Sequence, residues 1–253
     1  MLIVCNGIYK SGSTWVYMIS KELIETSPLR DGWAEHYNEK NIKLTSSFLS
    51  ESNTVDDNYA VKSHCYNRQF LELLMKDYSS IVLYSDRDDF ELIQSHYHHF
   101  SYEKLKLPFF IYLMTFGFFK MVENQVFKAV VELDSLYSLK VNFRELKENP
   151  VKVVMDISDA LGVVTTEELA RLIVEKTNMK NRRNDKTKTG MSDRDWFFDR
   201  KEEQASRVSK NLFSLLNAAS KALSCSDLLV SLMASLFQKI KNRSEYSRFI
   251  NSR

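Results

Sequence analysis

A loop of small residues between an apolar run and a helical pattern constrains this chain more than any other feature. Residues 2–5 are Leu-Ile-Val-Cys, a short apolar run typical of a buried strand. Residues 16–24 repeat apolar side chains at helical spacing, which predicts a helix directly after the loop. Between them the chain carries Gly7 and Gly12. A strand, a glycine-containing loop and a helix N-terminus form a binding site for phosphate, because the loop N–H groups and the helix dipole both face the anion.

The loop matches the Walker A motif of nucleotide-binding proteins only in part. Gly7 and Gly12 have the Walker spacing, and Thr14 stands at its hydroxyl position. Ser13, however, takes the place of the Walker lysine, which lies inside the loop instead, as Lys10. An NTPase loop of the usual kind is therefore not expected. The simpler alternative is a strand-to-helix turn whose glycine and serines only cap the helix.

The composition bounds the fold and excludes several functions. The chain has 253 residues, of which 44% are hydrophobic and 27% charged, as expected of one globular domain. We therefore predict a single domain over residues 1–253, with a core at 1–200 and a helical C-terminal extension at 201–253. A net charge of +2 gives no overall attraction to nucleic acid or to a membrane, so any anion site must be local.

The cysteines and the N-terminus indicate the compartment. The three cysteines, Cys5, Cys65 and Cys225, have neither the spacing of a disulfide framework nor that of metal ligands. No metal site is therefore assigned, and a reducing cytoplasm is the expected location. The N-terminal residues lack the basic region and the small-residue cleavage site of a signal peptide.

The rest of the chain alternates strand and helix patterns. Further strands are expected at 59–62, 80–84 and 138–143, helices at 67–77, 88–100 and 150–161, and loops with short helices at 29–57. This alternation favours a parallel sheet with helices on both faces. Residues 107–119, the most apolar stretch, are too short to span a bilayer and are expected to form a buried helix or, alternatively, to wall an acceptor pocket. Residues 202–250 have helical spacing in two pieces, broken near 224–226.

Two further segments carry residue types that suit chemistry on an anion. Arg87 stands at a predicted strand end before a helix, which is where ligands bind in open α/β sheets, and its guanidinium can fork onto a phosphate. Ser95 lies about two helical turns into that helix and can add a hydroxyl. The alternative for Arg87 is a surface ion-pair network with the neighbouring aspartates, which would contribute little. His64 follows the strand at 59–62, and imidazole suits general base catalysis because it titrates near neutral pH.

These segments resemble those of a known family. Residues 10–15 read Lys-Ser-Gly-Ser-Thr-Trp, which is similar to the 5′-phosphosulfate loop of the sulfotransferases, Lys-Ser-Gly-Thr-Thr-Trp. Residues 61–64, Val-Lys-Ser-His, resemble the Lys-Thr-His segment that carries the family's general base. Residues 87–100 resemble its 3′-phosphate segment, although Asp88-Asp89 replaces the usual Asn-Pro.

Two segments nearer the C-terminus extend the resemblance with departures. Residues 142–150 are similar to the family's turn before a helix, with Phe143 at the position of an adenine-contacting tyrosine. Residues 186–196 resemble the Arg-Lys-Gly segment that closes over the cofactor. There Lys188-Thr189-Gly190 replaces Arg-Lys-Gly, and one extra residue precedes Asp-Trp.

The resemblance covers residues 9–196 and implies a fold and a function. The fold is α/β, a P-loop-like three-layer arrangement with a central parallel sheet flanked by helices, plus a helical C-terminal segment. The function is transfer of a sulfuryl group from 3′-phosphoadenosine 5′-phosphosulfate (PAPS) to a hydroxyl or amine of a small-molecule acceptor, leaving adenosine 3′,5′-bisphosphate (PAP). His64 would be the general base, and Lys10, assisted by Lys62, would stabilise charge on the leaving phosphate. The implied cofactor-binding residues are Lys10, Ser11, Gly12, Ser13, Thr14, Trp15, Arg87, Ser95, Phe143, Thr177, Lys188, Thr189 and Gly190.

Two other functions stay open at the level of sequence. One is a small-molecule or nucleotide kinase with an atypical phosphate loop, in which Asp86 would be the candidate acid for Mg²⁺. The other is a non-catalytic nucleotide-binding protein of the same fold. The expected partner is a small-molecule acceptor, with a bacterial metabolite as one candidate, and neither nucleic acid nor a membrane is expected. Helices in residues 201–253 could also support a homo-oligomer.

Overall fold

The protein is described by a computed structural model that covers eight parts of the chain. These are residues 2–27, 59–65, 68–69, 71–72, 80–103, 107–132, 135–178 and 207–223. The chain divides into two compact units. The first unit takes residues 1–64, 73–88 and 137–200, and the second takes 65–72, 89–136 and 201–253. The single domain expected over the whole chain stays a prediction.

A parallel sheet forms the centre of the first unit. Its strands are β1 (Leu2–Gly7), β2 (Tyr59–Ser63), β3 (Ile81–Asp86) and β4 (Leu139–Asn142), in the order β2-β1-β3-β4. All three pairings are parallel, and they place Cys5 opposite Lys62 and Gly7 opposite Ser85. The predicted α/β fold with a central parallel sheet is therefore confirmed. In this order β1 lies between β2 and β3, because β2 adds on one side of β1 and β3 then adds on the other. The carboxyl end of β1 is therefore the switch point, where open α/β sheets bind ligands.

The described residues contain eight α-helices with defined bounds, and those that begin at Ser13, Asp89 and Pro150 fall where the sequence predicts them. Their bounds are α1 Ser13–Glu25, α2 Asp89–Glu103, α3 Phe109–Tyr112, α4 Phe118–Glu132, α5 Phe143–Glu148, α6 Pro150–Leu161, α7 Glu167–Thr177 and α8 Arg207–Leu223. Pro150 begins α6 and Gly162 ends it in the left-handed conformation, as the sequence predicts. None of the helices described is both long and apolar enough to cross a membrane.

The core of the first unit lies between the sheet and its helices. Ile3 and Cys5, which share one face of β1, are fully buried there. They pack with apolar side chains of α1, α6 and α7, of which Ile19, Ile157 and Ile173 are examples. This packing fixes α1 against the sheet, so the loop that joins β1 to α1 is held at both ends.

The described helices of the second unit contact one another through aromatic rings. Phe90 of α2 meets Phe109 of α3 and Phe213 of α8 edge to face, with ring centroids 6.4 and 4.9 Å apart. The first helical piece predicted in 202–250 is confirmed by α8. The predicted second piece and the break near 224–226 lie outside the described residues. A homo-oligomer formed through these helices stays a prediction.

The apolar stretch 107–119 is helical but not buried, so that part of its prediction is wrong. It forms α3, a π-helical turn at Leu113–Gly117 and the start of α4. Tyr112 and Leu113 are buried, whereas five large side chains of the stretch are 44–53% exposed. These exposed side chains are Phe110, Ile111, Met114, Phe116 and Phe119. The loops and short helices predicted at 29–57 lie outside the described residues. The helix predicted at 67–77 is described only at 68–69 and 71–72, and these residues are helical.

Candidate active site

The loop after β1 folds through two left-handed residues. Lys10 has φ 77° and Gly12 has φ 104°. Gly12 tolerates this conformation because it has no Cβ, and space requires glycine as well, since a Cβ there would lie 2.6 Å from Cδ2 of Phe143. Lys10 does have a Cβ, so its conformation costs about 1–2 kcal/mol and must be held by its neighbours.

Ser11, between these two residues, points into the protein. Its side chain is fully buried, and its Oγ lies 2.7 Å from Oγ of Ser85. Its backbone N–H donates to the carbonyl of Ile8 at 3.0 Å. The backbone N–H and the hydroxyl of Ser11, which we expected to face a phosphate, are therefore both engaged with the protein itself. A phosphate contact from Ser11 stays a prediction that the buried side chain does not favour.

The N-terminus of α1 closes the loop. Gly12 is its N-cap, the helix has no side-chain cap, and no acidic residue lies in its first turn. The N–H groups of Trp15 and Val16 donate to the Gly12 carbonyl at 2.8 and 3.2 Å. The amides of Ser13 and Thr14 precede these bonds and belong to the turn in which helix N–H groups have no intrahelical acceptor. With the positive end of the helix dipole, this turn suits an anion.

His64 lies beside the loop, directly after β2. Its Nδ1–H donates to the carbonyl of Gly7, since a carbonyl can only accept. This bond makes Nε2 the basic nitrogen of the neutral ring, which is the form that a general base requires. The ring is 9% exposed, and the Tyr9 ring packs against it edge to face with centroids 5.9 Å apart.

Lys62 lies on β2 opposite Cys5 of β1. Burial raises the pKa of the Cys5 thiol to about 12, against a hydrogen bond with Ser20 and the positive charge of Lys62, which both lower it. Cys5 therefore stays protonated near neutral pH and is not a candidate nucleophile. Lys62 itself is only partly buried and places a positive charge near the end of β2.

Arg87 follows β3 and reaches the loop. Its Nη1 donates to the carbonyl of Lys10 at 3.2 Å, and its guanidinium lies 4.2 Å from the ring centroid of Phe143. Its backbone N–H donates to Asp86 Oδ1 at 2.8 Å, and the other carboxylate oxygen of Asp86 lies 3.2 Å from Nζ of Lys140. Arg87 thus contacts both the loop and an aromatic ring, and the ion-pair network with the neighbouring aspartates stays an open alternative.

Two of the predicted adenine contacts are engaged with the protein itself. Phe143 is 3% exposed, so a base can stack on its ring only if Arg87 or another neighbour moves. Thr177 is fully buried at the end of α7, and its hydroxyl donates to the Ile173 carbonyl at 2.8 Å. The same oxygen accepts from Nε1 of Trp15 at 3.4 Å. Trp15 is only partly buried, so its ring keeps accessible surface.

The structure therefore brings most of the predicted residues together. The loop, His64, Arg87 and Phe143 follow the carboxyl ends of β1, β2, β3 and β4 in that order. Ser95 lies on α2 in the second unit, and its contact with a phosphate stays a prediction. Lys188, Thr189 and Gly190 lie outside the described residues. Among the residues that are described, no three His, Cys, Asp or Glu side chains are grouped to hold a metal.

Ser85 contacts the loop directly but was not predicted. The sequence gives it only as a polar residue at the end of an apolar strand pattern, Ile-Val-Leu-Tyr-Ser-Asp. A serine near the end of a buried strand, two residues before Arg87, is the signal that could have identified it.

Comparison with known proteins shows the fold. No family model matches the chain, and no curated protein matches it. Among solved structures, mouse sulfotransferase SULT7A1 complexed with PAP is similar at 16% identity and a TM-score of 0.64, over 94% of this chain and 88% of that one. Retinol dehydratase in complex with androsterone and inactive cofactor PAP is similar at 15% identity and a TM-score of 0.48, over 72% of this chain and 65% of that one. The similarity to the mouse sulfotransferase shows that this chain has the same P-loop-like α/β fold.

Proposed function

We propose that this protein is a sulfotransferase that uses PAPS to sulfate a small-molecule acceptor. The observation that carries the proposal is the contact between Arg87 and the loop, where Nη1 of Arg87 donates to the carbonyl of Lys10 at 3.2 Å. A phosphate-binding turn and a guanidinium that can fork onto a second phosphate therefore lie side by side. Two separate phosphates are what distinguish PAP and PAPS from ATP. The structural similarity to a sulfotransferase complexed with PAP supports the same assignment.

The residues present fit the 5′-phosphate. The uncapped first turn of α1 supplies the amides of Ser13 and Thr14, and Thr14 is only partly buried. Lys10 lies within the loop, and its ammonium is placed 4.9 Å from the ring centroid of Tyr9. In this proposal Lys10 stabilises the negative charge that develops on the leaving phosphate, which is the role that preorganised cations have in group transfer.

The 3′-phosphate and the adenine take the remaining residues. Arg87 binds the 3′-phosphate, and a contact from Ser95 stays a prediction. We assign stacking on the adenine to Trp15 before Phe143, because Trp15 keeps accessible surface and the Phe143 ring is buried beneath Arg87. Thr177 orients the Trp15 ring through its hydroxyl. Lys188, Thr189 and Gly190 would complete the site over the cofactor.

His64 activates the acceptor in this proposal. When bound, PAPS supplies an activated sulfuryl group whose bond to the phosphate breaks as the acceptor attacks. Nε2 of His64 takes the proton from the acceptor hydroxyl or amine, and the bond from Nδ1–H to Gly7 keeps the ring in the required tautomer. Lys62 adds positive charge at the same strand end.

The kinase alternative has less support. A kinase needs an acidic side chain at a strand end to hold Mg²⁺. Asp86 is the candidate, but both of its carboxylate oxygens are engaged, one by the Arg87 N–H and the other by Lys140. The non-catalytic alternative does not account for the orientation of His64 beside the loop, where its Nδ1–H donates to the Gly7 carbonyl.

Sulfuryl transfer from labelled PAPS to a panel of phenols, alcohols and amines tests the proposal. Wild-type protein is expected to form a sulfated product and PAP. His64→Ala is expected to lower kcat about 10²–10⁴-fold, because it removes the general base. Lys10→Ala should also lower kcat, whereas Lys21→Ala, which removes a partly exposed lysine of α1 paired with Glu25, should not. Full turnover by both site variants would overturn the roles assigned here.

A further inference from the structure

Two serine hydroxyls meet beneath the start of the phosphate-binding loop. Ser11 Oγ and Ser85 Oγ are 2.7 Å apart, and Ser11 and Ser85 are 0% and 2% exposed. The space they occupy exists because residue 7 is glycine: a Cβ on Gly7 would lie 2.0 Å from the Ser85 hydroxyl and 2.5 Å from that of Ser11. The parallel register places Gly7, the last residue of β1, opposite Ser85, the residue before the last of β3.

The direction of this hydrogen bond follows from its neighbours. Ser85 Oγ donates its one proton to the carbonyl of Asn6 at 3.3 Å, since a carbonyl can only accept. The proton between the two serines must then come from Ser11. The hydroxyl of Ser11 is therefore directed at β3, away from any ligand bound outside the loop.

Ser11 stands at the most strained point of the loop. Lys10 before it and Gly12 after it are both left-handed, with φ 77° and 104°. The end of β3 holds this point from two sides, because Arg87 donates to the Lys10 carbonyl while Ser85 accepts from the Ser11 side chain. The position of the Lys10 side chain depends on that backbone conformation.

We propose that Ser85 is a positioning residue for the phosphate-binding loop, which it holds in its binding conformation through the hydroxyl of Ser11. The inference rests on the proposed function and assigns Ser11 to the support of the loop rather than to the phosphate. Ser85 does not contact the ligand; it acts on the geometry of Lys10 and Gly12. Its loss weakens binding of PAP and slows sulfuryl transfer without removing any ligand-contacting group.

Titration of PAP into Ser85→Ala tests this role. The dissociation constant for PAP is expected to rise about tenfold relative to wild type, because the buried Ser11 hydroxyl loses its acceptor. The matched control is Ser80→Ala, which removes another buried serine hydroxyl adjoining the same strand, one that has no hydrogen-bond partner within the described residues. Ser80→Ala should bind PAP as wild type does. Should Ser85→Ala fail to fold, Ser11→Ala tests the same bond from the loop.

A double-mutant cycle separates positioning from general stabilisation. Ser11→Ala is expected to weaken PAP binding as Ser85→Ala does, and the double variant no more than either single variant, because all three lack the same bond. Additive losses, or PAP binding by Ser85→Ala within twofold of Ser80→Ala, would overturn the role of Ser85. Failure of the wild type to bind PAP would instead overturn the proposed function, on which the role depends.

Discussion

Substitutions at Gly12 and at Gly162 separate the effect of backbone strain from that of steric crowding. Both are left-handed, with φ 104° and 67°, but a Cβ on Gly162 would meet nothing within 4 Å while one on Gly12 would press on Phe143. Gly162→Ala should therefore lower the free energy of unfolding by about 1–2 kcal/mol through backbone strain alone. Gly12→Ala should cost more and should abolish PAP binding, because Phe143 or the loop must move. Denaturant unfolding and PAP titration of both variants check this, and equal effects from the two would contradict it.

For single residues, the sequence shows which side chains are present but not the direction in which each one points. Lys10, His64 and Arg87 could be predicted because their chemistry and their places after strands are visible in the sequence. Ser85 could not, since its contact with Ser11 joins residues 74 positions apart and depends on the register of two parallel strands. Ser11 reads as a phosphate ligand in the sequence, but the left-handed residues on both sides turn its hydroxyl inward.

Among the elements, the helices of the second unit converge on the first residue of α2. Asp89 accepts hydrogen bonds from Asn124, Gln125 and Lys128 of α4 at 2.7–2.9 Å. It also accepts from Asn217 of α8 at 3.2 Å. Burial raises the pKa of this carboxyl, but the charge of Lys128 and the hydrogen bonds together outweigh burial and hold it below its ordinary value of 3.8.

This network predicts an acid-dependent stability. Because the pKa of Asp89 is lower in the folded state than in the unfolded state, its contribution is fully present well above pH 4 and is lost as the pH falls through the folded value. Asp89→Asn is expected to lower the free energy of unfolding by about 1–3 kcal/mol at pH 7, and the gap to wild type should narrow towards pH 3. Denaturant titrations at each pH measure the gap. Glu132→Gln, at an exposed carboxylate that ends α4, is the control; a constant gap for Asp89→Asn would refute the prediction.

The stretch 107–119 shows why element burial is harder to predict than element type. Its lack of charge indicates a helix in the core, and a helix does form. Five of its large side chains are nevertheless 44–53% exposed. Hydrophobicity favours burial without specifying the partner, and the π-helical turn changes which side chains share a face, a feature that apolar spacing does not reveal.

For the molecule as a whole, the sheet is what makes the separate motifs one site. Four parallel strands in the order β2-β1-β3-β4 place the loop, His64, Arg87 and Phe143 after their carboxyl ends. The alternation of strands and helices predicted this class of fold, because parallel strands need crossover connections. The strand order could not be read from residue patterns. Because this order brings Arg87 near Lys10, their contact could not be predicted either.

The most direct test of the central claim is the affinity for PAP compared with that for adenosine 5′-monophosphate, which lacks the 3′-phosphate. Calorimetric titration of wild type and Arg87→Ala with both ligands, in the absence of Mg²⁺, measures the contribution of the second phosphate. Wild type should prefer PAP by at least about 10-fold, as expected of a charge-assisted pair, and Arg87→Ala should lose that preference. Equal affinity of the wild type for the two ligands would contradict the account.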